Sequence, residues 1–219
     1  MLVAWDTLEV PTYRHEALEA YQSGREFEES ILEQLRLLPD LVRSFGFLVA
    51  KGDGYEADDF LAAAAQAWPA SVLVATSDRD AFQLVSDRVT ILQPVKGVSE
   101  LARIGPAEVR ERYAVEPEQV PDFIALRGDP SDRIPGAPGV GPKKAADVLK
   151  QHGSLEQALA AGRFPQLADE LRLYRSVATM DASAPLPPLH ATPPDWAGAA
   201  TFADAQGLGN LAGRLASLA

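Results

Sequence analysis

Residues 71–80 read Ser71-Val72-Leu73-Val74-Ala75-Thr76-Ser77-Asp78-Arg79-Asp80. A short run of this kind, apolar and without polar alternation, marks a strand covered on both faces, as parallel strands are. Two carboxylates, Asp78 and Asp80, stand at its C-terminal end, just before the helix-like Ala81-Phe82-Gln83-Leu84-Val85. That edge of an open α/β sheet is where ligands are received. Working outward, Leu2-Val3-Ala4-Trp5 is a second apolar run closed by a carboxylate, Asp6, for which a plain turn residue is the alternative. Phe47-Leu48-Val49-Ala50 and Val89-Thr90-Ile91-Leu92 read as further strands. Ahead of both, Ile31, Leu35, Leu38, Leu41 and Val42 recur at helical spacing, so residues 28–45 form an amphipathic helix despite Pro39. Strand and helix signals alternate from residue 1 to 92, which predicts an α/β fold: a three-layer, mostly parallel sheet with helices on both faces.

The helix leading into the central strand opens on Gly54-Tyr55-Glu56-Ala57-Asp58-Asp59 and continues through Phe60-Leu61-Ala62-Ala63-Ala64-Ala65. Acidic residues in a first turn can be simple caps, since they meet exposed N–H groups and the positive helix end. Three carboxylates so close also repel one another unless a cation sits among them. At about 100° per residue, Glu56 and Asp59 fall on neighbouring parts of the surface while Asp58 points elsewhere. Two ions, or one ion with its waters, fit that fan better than a single directly bound ion.

The chain has 219 residues, enough for one substantial core or a core with a satellite domain, and carries 31 acidic against 20 basic side chains, a formal charge of −11. With no cysteine, thiolate sites are excluded; His15, His152 and His190 are the available imidazole ligands, and an oxygen-ligand metal site would have to use carboxylates. The acidity argues against a broadly basic surface, though not against a local nucleic-acid patch. No stretch approaches a membrane span and the start lacks a secretion-signal pattern, so a cytoplasmic location away from membranes is expected.

Residues 98–127 change character, with helices read at 106–113 and 120–126. Then comes Gly128-Asp129-Pro130-Ser131-Asp132, followed by Ile134-Pro135-Gly136-Ala137-Pro138-Gly139-Val140-Gly141-Pro142-Lys143-Lys144. A glycine-rich turn between helices offers backbone N–H groups and a helix start to a phosphate oxygen, with Lys143 and Lys144 close by. A ligand-free helix–turn–helix is the alternative. Helices follow at 155–159 and 164–174, then a proline-rich extended strap from Asp181 to Trp196 and a modest helix within 198–218. The expected division is 1–97, 98–180 and 181–219.

Asp6, Glu56, Asp58, Asp59, Asp78, Asp80, Asp129 and Asp132 thus fall at strand ends, at a helix start or beside the glycine-rich turn. Convergence of that many carboxylates suits Mg²⁺ or Mn²⁺, and two such ions about 4 Å apart can drive phosphodiester hydrolysis. A metal-dependent phosphatase would share the acidic rim but has no need of a second anchor in the glycine-rich turn.

These motifs resemble the bacterial 5′–3′ exonuclease and flap-endonuclease family. Residues 54–59 are similar to its Gly-Tyr/Val-Glu-Ala-Asp-Asp motif, residues 76–85 to its Asp-x-Asp motif, and residues 126–145 to its long Gly-Asp-x-Ser-Asp-Asn-Ile-Pro-Gly signature. The resemblance implies a PIN-like 5′-nuclease core with a helix-hairpin-helix subdomain, and a role in DNA replication and repair. It implies that the eight acids named above serve catalysis as ligands of two divalent ions, and that Gly136, Gly139, Gly141, Lys143 and Lys144 grip duplex phosphates beside a bound K⁺. Residues 13–25 match the base of an arch through which a 5′ end threads, with Arg14 and Arg25 as phosphate contacts. The implied partner is DNA with a 5′ end or flap and duplex downstream, bound by a monomer. Departures accompany this. The likeness begins at the family's second strand, so the first strand, with its ligand aspartate, has no counterpart, and the chain is expected to be a fragment or a short form. A DNA-structure binding module with reduced catalysis is the resulting alternative. Gln22 stands where a lysine is usual, Glu26, Glu28 and Glu29 make that region acidic, and Arg133 and Lys144 replace the common asparagine and threonine.

Overall fold

A computed structural model describes residues 1–7, 10–22 and 27–219. Strand β1 (Leu2–Ala4) pairs in parallel with β2 (Leu48–Ala50), Val3 opposite Val49. Strand β3 (Val72–Ala75) pairs in parallel with β4 (Val89–Lys96), Val74 opposite Ile91. Among the described residues the expected sheet is therefore two ladders, because β1 and β3 do not pair with each other.

Helix α1 (Tyr13–Ala17) follows the first strand, and α2 (Glu29–Ser44) runs on through Pro39, whose ring is buried. Proline removes one ladder bond and crowds the preceding turn, yet the apolar stripe keeps the helix in place. Helix α3 (Ala57–Ala67) buries Phe60 together with Ala62, Ala63 and Ala65, three small side chains that let it lie close to its neighbours. The segment after Asp78 is tighter than expected, a 3-10 turn at Asp80–Leu84 that drives Ala81 and Phe82 into the core.

The sheet also extends past residue 97. Strand β5 (Glu100–Ile104) lies antiparallel on β4, with Ile104 fully buried opposite Ile91. Helices α4 (Pro106–Tyr113), α5 (Val120–Arg127), α6 (Pro142–His152), α7 (Leu155–Ala160) and α8 (Ala168–Ala178) complete the helical part. One apolar cluster joins both parts, running from Val74, Phe82 and Ile91 through Phe123 and Ile124 to Leu149 and Leu171. Burying each of these large side chains contributes roughly 1.5–3 kcal/mol, so the strand ends and the glycine-rich turn are set against one shared core.

Beyond the extended strap, two helices replace the single one expected: α9 (Trp196–Ala205) and α10 (Gly209–Ala216). Gly207, with φ +73°, makes the turn between them. They bury Ala199, Ala203, Ala212 and Leu215 against one another and against Phe45 and Trp196.

Candidate active site

The carboxyl ends of β1 and β3, the start of α3 and the loop after α5 meet around one open cavity of about 1040 Å³. Asp6, Glu56, Asp58, Asp78, Asp80, Asp129 and Asp132 all line it. Asp6, just past β1, accepts the Ala57 N–H at 2.7 Å, so it caps α3 and fixes the helix start against the strand end. Glu56 accepts from the Thr12 hydroxyl at 3.1 Å and from the Tyr21 hydroxyl at 3.0 Å, and it lies 3.3 Å from the Arg14 guanidinium. Burial nevertheless pushes its carboxyl upward from the usual range.

Asp58 has less help. Burial, then the charges of Asp78, Asp6 and Glu56, push its carboxyl up to about 7. Asp80 is likewise pushed well above its ordinary range, by burial first and then by Asp78, Asp129 and Asp132. Its position is set by the main chain: the Asp80 N–H donates to Asp78 Oδ1 at 2.8 Å, and the Gln83 amide donates to the Asp80 carbonyl at 2.9 Å.

On the far wall, Asp129 and Ile134 exchange two main-chain hydrogen bonds of 2.8 Å, closing a tight loop. Within it Asp129 accepts from the Ser131 N–H at 2.9 Å, from the Ser131 hydroxyl, and from the Arg127 guanidinium at 3.0 Å. Asp132 accepts from the Gln22 side-chain amide at 2.9 Å. The Gln22 amide also donates to the Tyr21 hydroxyl at 3.0 Å, so one hydrogen-bonded chain links the Asp132 side of the cavity to Glu56.

This wall of oxygen donors suits a hard cation in kind, and the upward shifts of Asp58 and Asp80 reflect burial first and then the crowding of like charges. Among the described residues, however, no three acidic or imidazole groups stand close enough to hold an ion by direct contact. The fit is to ions that keep much of their water shell, as Mg²⁺ does.

Two expected site residues lie elsewhere. Asp59 is fully buried and does not line the cavity. Its oxygens accept from Arg14 at 2.8 and 2.7 Å, from the Asp181 N–H at 2.8 Å and from the Glu56 N–H at 3.0 Å, leaving little capacity for a metal. Burial alone would raise this carboxyl, but the Arg14 hydrogen bonds and charge hold it below its ordinary range. Arg14, correspondingly, is 3% exposed and also donates to the carbonyls of Val177 at 2.8 Å and Thr179 at 3.1 Å. It ties α1 to α3 and to the end of α8 and is not placed to meet a phosphate. Helical spacing puts Glu56 and Asp59 side by side, and Asp59 does accept the Glu56 N–H, but Glu56 is the N-cap, with extended backbone, and lines the cavity while Asp59 does not. Arg25 lies outside the described residues.

The glycine-rich turn divides similarly. A side-chain carbon on Gly136 would fall 2.3 Å from the Gly128 nitrogen, so this glycine serves close packing of the turn on the Asp129 loop. Gly139, with φ +72°, and Gly141 have nothing within 4 Å of that position and leave bare backbone open to a partner. Gly141 caps α6, Lys143 is exposed, and the Lys144 ammonium donates to the Gly139 carbonyl at 2.9 Å. Sequence reasoning passed over Arg127 and Ser131, although a serine two residues beyond an aspartate is a recognisable turn signal.

Comparison with known proteins matches the chain in two parts that meet at residues 114 and 115. A family model described as "5'-3' exonuclease, N-terminal resolvase-like domain" matches residues 1–114, and one described as "5'-3' exonuclease, C-terminal SAM fold" matches residues 115–195. The DNA polymerase I of Mycobacterium tuberculosis strain H37Rv is 46% identical over 148 residues, 66% of this chain and 16% of that protein. The DNA polymerase I of Bacillus caldotenax is 39% identical over 187 residues, 82% of this chain and 21% of that protein. The chain thus spans only 16–21% of the length of these relatives. Among solved structures, T5 5′-exonuclease with bound zinc superposes with a TM-score of 0.65 at 17% identity, covering 99% of this chain and 82% of that one. The catalytic core of Rad2 in complex with DNA substrate gives 0.56 at 14% identity, covering 94% and 73%. At those identities the likeness establishes the fold.

Proposed function

Because the chain belongs to the 5′–3′ exonuclease family, we propose that it hydrolyses phosphodiester bonds of DNA at 5′ ends or flaps, using divalent cations held in the acidic cavity. The observation that carries this reading is the convergence of seven carboxylates, drawn from four separated stretches of sequence, on one cavity. Two ions, Mg²⁺ or Mn²⁺, suit those oxygens, and when bound they supply an activated water and a counter-charge for the phosphate. Asp6, Glu56 and Asp58 would hold them on one wall and Asp129 and Asp132 on the other, with Asp78 and Asp80 between, directly or through water. Thr12 and Tyr21 orient Glu56, and Gln22 orients Asp132. The division of labour keeps most acids in residues 1–97, the duplex grip in residues 98–180, and the packing strap in residues 181–219. The protein works as a cytoplasmic monomer, and no helix among the described residues is long and apolar enough to cross a membrane.

A labelled 5′-flap duplex tests the proposal. Cleavage is expected with Mg²⁺ or Mn²⁺, to stop on chelation and to return on adding metal back. The same assay distinguishes a second reading, a DNA-structure binder with little catalysis. Retained flap binding in Ca²⁺ without cleavage in either catalytic metal would select that second reading.

Duplex binding is assigned to the backbone at Gly139 and Gly141 together with Lys143. A K⁺ ion that used the Gly139 carbonyl would share it with the Lys144 ammonium, a second positive charge. Phosphate contacts carry no base code, so affinity should be nearly indifferent to sequence. Lys143→Ala is expected to reduce the slope of log affinity against log salt by about 1. Lys144→Ala removes the bond to Gly139 as well and should weaken binding further by loosening the turn. Affinities measured from about 50 to 200 mM salt in Ca²⁺ decide this, and an unchanged slope for Lys143→Ala would make the turn purely structural.

A further inference from the structure

Two arginines share the lining of the acidic cavity with its carboxylates, Arg79 and Arg127. Arg79 is exposed, whereas Arg127 is built into the wall. It is the last residue of α5, four beyond Phe123, so the two side chains lie on one face of the helix. Its guanidinium carbon stands 5.3 Å from the centre of the Phe123 ring and 5.8 Å from that of Tyr113. Those two rings stack on each other at 5.0 Å, and Tyr113 packs in turn on Phe82 at 5.5 Å. Phe82 and Phe123 belong to the buried core, so the arginine rests on a rigid aromatic base.

Only part of this guanidinium is used. Nη2 donates to Asp129 at 3.0 Å, its one hydrogen-bond partner among the described residues. Nε is buried and has none. Nη1 has none either, but it is not buried, the side chain being 21% exposed. A positive charge suits the C-terminal end of α5, and the bond to Asp129 helps hold that carboxylate. Neither role employs Nη1.

We infer that Arg127 contacts a phosphate oxygen of the DNA strand bound in the cavity, through Nη1, while Nη2 stays on Asp129. This rests on the cavity being the phosphodiester site. A planar guanidinium presents N–H donors in a fork that matches phosphate, and the rings hold it in place before the strand arrives, so little ordering is lost on contact. A phosphate chain meeting a wall of carboxylates is repelled, and a fixed cation in that wall offsets the repulsion without a metal. The charge of Arg127 reaches the acid group already, since it opposes the upward push on Asp80.

Flap-duplex affinity of the full chain, measured in Ca²⁺ from about 50 to 200 mM salt, tests this with Arg127→Met, whose unbranched side chain keeps contact with the rings. The slope of log affinity against log salt should fall by about 1, and stay at the parent value in Arg127→Lys, which keeps the charge. Flap duplexes with a single neutral methylphosphonate, placed in turn at each phosphate around the junction, locate the contact. At one position the parent should lose about ten-fold in affinity, and Arg127→Met little beyond what it has already lost. Without DNA, Mg²⁺ should raise the melting temperature of Arg127→Met at least as much as that of the parent, because a positive charge has left the metal's surroundings. An unchanged slope, or losses that simply add at every position, would overturn the inference. Additive losses with weaker stabilisation by Mg²⁺ would make Arg127 a support for Asp129 alone. Arg127→Gln takes the place of the methionine variant if that one fails to fold. Binding in Ca²⁺ needs no cleavage, so a parent inactive in Mg²⁺ and Mn²⁺ would count against the nuclease reading and leave this comparison intact.

Discussion

Replacing Asp80 with alanine is expected to lower divalent-dependent cleavage of a 5′ flap by about 100-fold or more while leaving the metal-free fold as stable as the parent. Losing a carboxylate that merely orients a ligand already costs 10- to 100-fold at typical metal sites, and Asp80 is placed to hold an ion itself, directly or through one water. It lines the cavity among Asp78, Asp129 and Asp132, whose charges with burial hold its carboxyl well above the ordinary range. That crowding is unfavourable without a cation, so the fold loses nothing by its removal. The hydrogen bonds made by the Asp80 main chain, to Asp78 and from Gln83, survive in alanine. Cleavage should be compared at matched Mg²⁺, and thermal unfolding in chelator and again with Mg²⁺. The parent should gain melting temperature on adding Mg²⁺ and the variant should gain less. Undiminished cleavage would remove Asp80 from the reaction, and a sharply lowered melting temperature in chelator would make its role structural.

Most of this site could be read from the sequence because each carboxylate is placed by a local rule. Asp6 and Asp78 follow apolar runs, and an apolar run ending in a carboxylate puts that group on the carboxyl edge of the sheet, where both line the cavity. Asp129 and Asp132 flank a turn of proline and serine, and the structure folds that turn onto the same cavity. What failed depended on contacts distant in sequence. Arg14 and the Val177 carbonyl stand 163 positions apart in sequence, so their contact has no local signature, and only the folded chain reveals that Asp59 pairs with this same Arg14 and does not line the cavity. Strand β5 went unread because Glu100 and Arg103 interrupt its apolar pattern, and its place is fixed by pairing with β4. The expected single sheet likewise rested on strand signals alone, which say what each segment prefers and nothing about which edges meet.

The Arg14–Asp59 pair offers the sharpest separation of a packing role from a phosphate-binding one. Arg14→Met should destabilise the protein by about 3–5 kcal/mol at neutral pH, because removing one partner of a buried pair leaves the other charge uncompensated. Asp59, fully buried and bonded by Arg14 through both oxygens, would be that charge. Replacing both, as Arg14→Met with Asp59→Leu, should recover only part of the loss, since it removes the uncompensated charge but leaves the Glu56 and Asp181 N–H groups without the carboxylate they donate to. The acid limb carries a second signature. Because Arg14 holds the Asp59 carboxyl below its ordinary range, the stability this contributes is present above the unfolded-state value, near 3.9, and is lost as pH falls through the lower folded value. The double variant should therefore unfold with a shallower dependence on pH below about 4 than the parent. Urea unfolding at pH 7 and across the acid range measures both effects. The salt slope of duplex binding by Arg14→Met, taken where the variant is folded, should match the parent, whereas a phosphate contact would lower it by about 1. A lowered slope together with a cost under about 1 kcal/mol, the range of an exposed pair, would return Arg14 to the DNA interface and leave Asp59 free to face a metal.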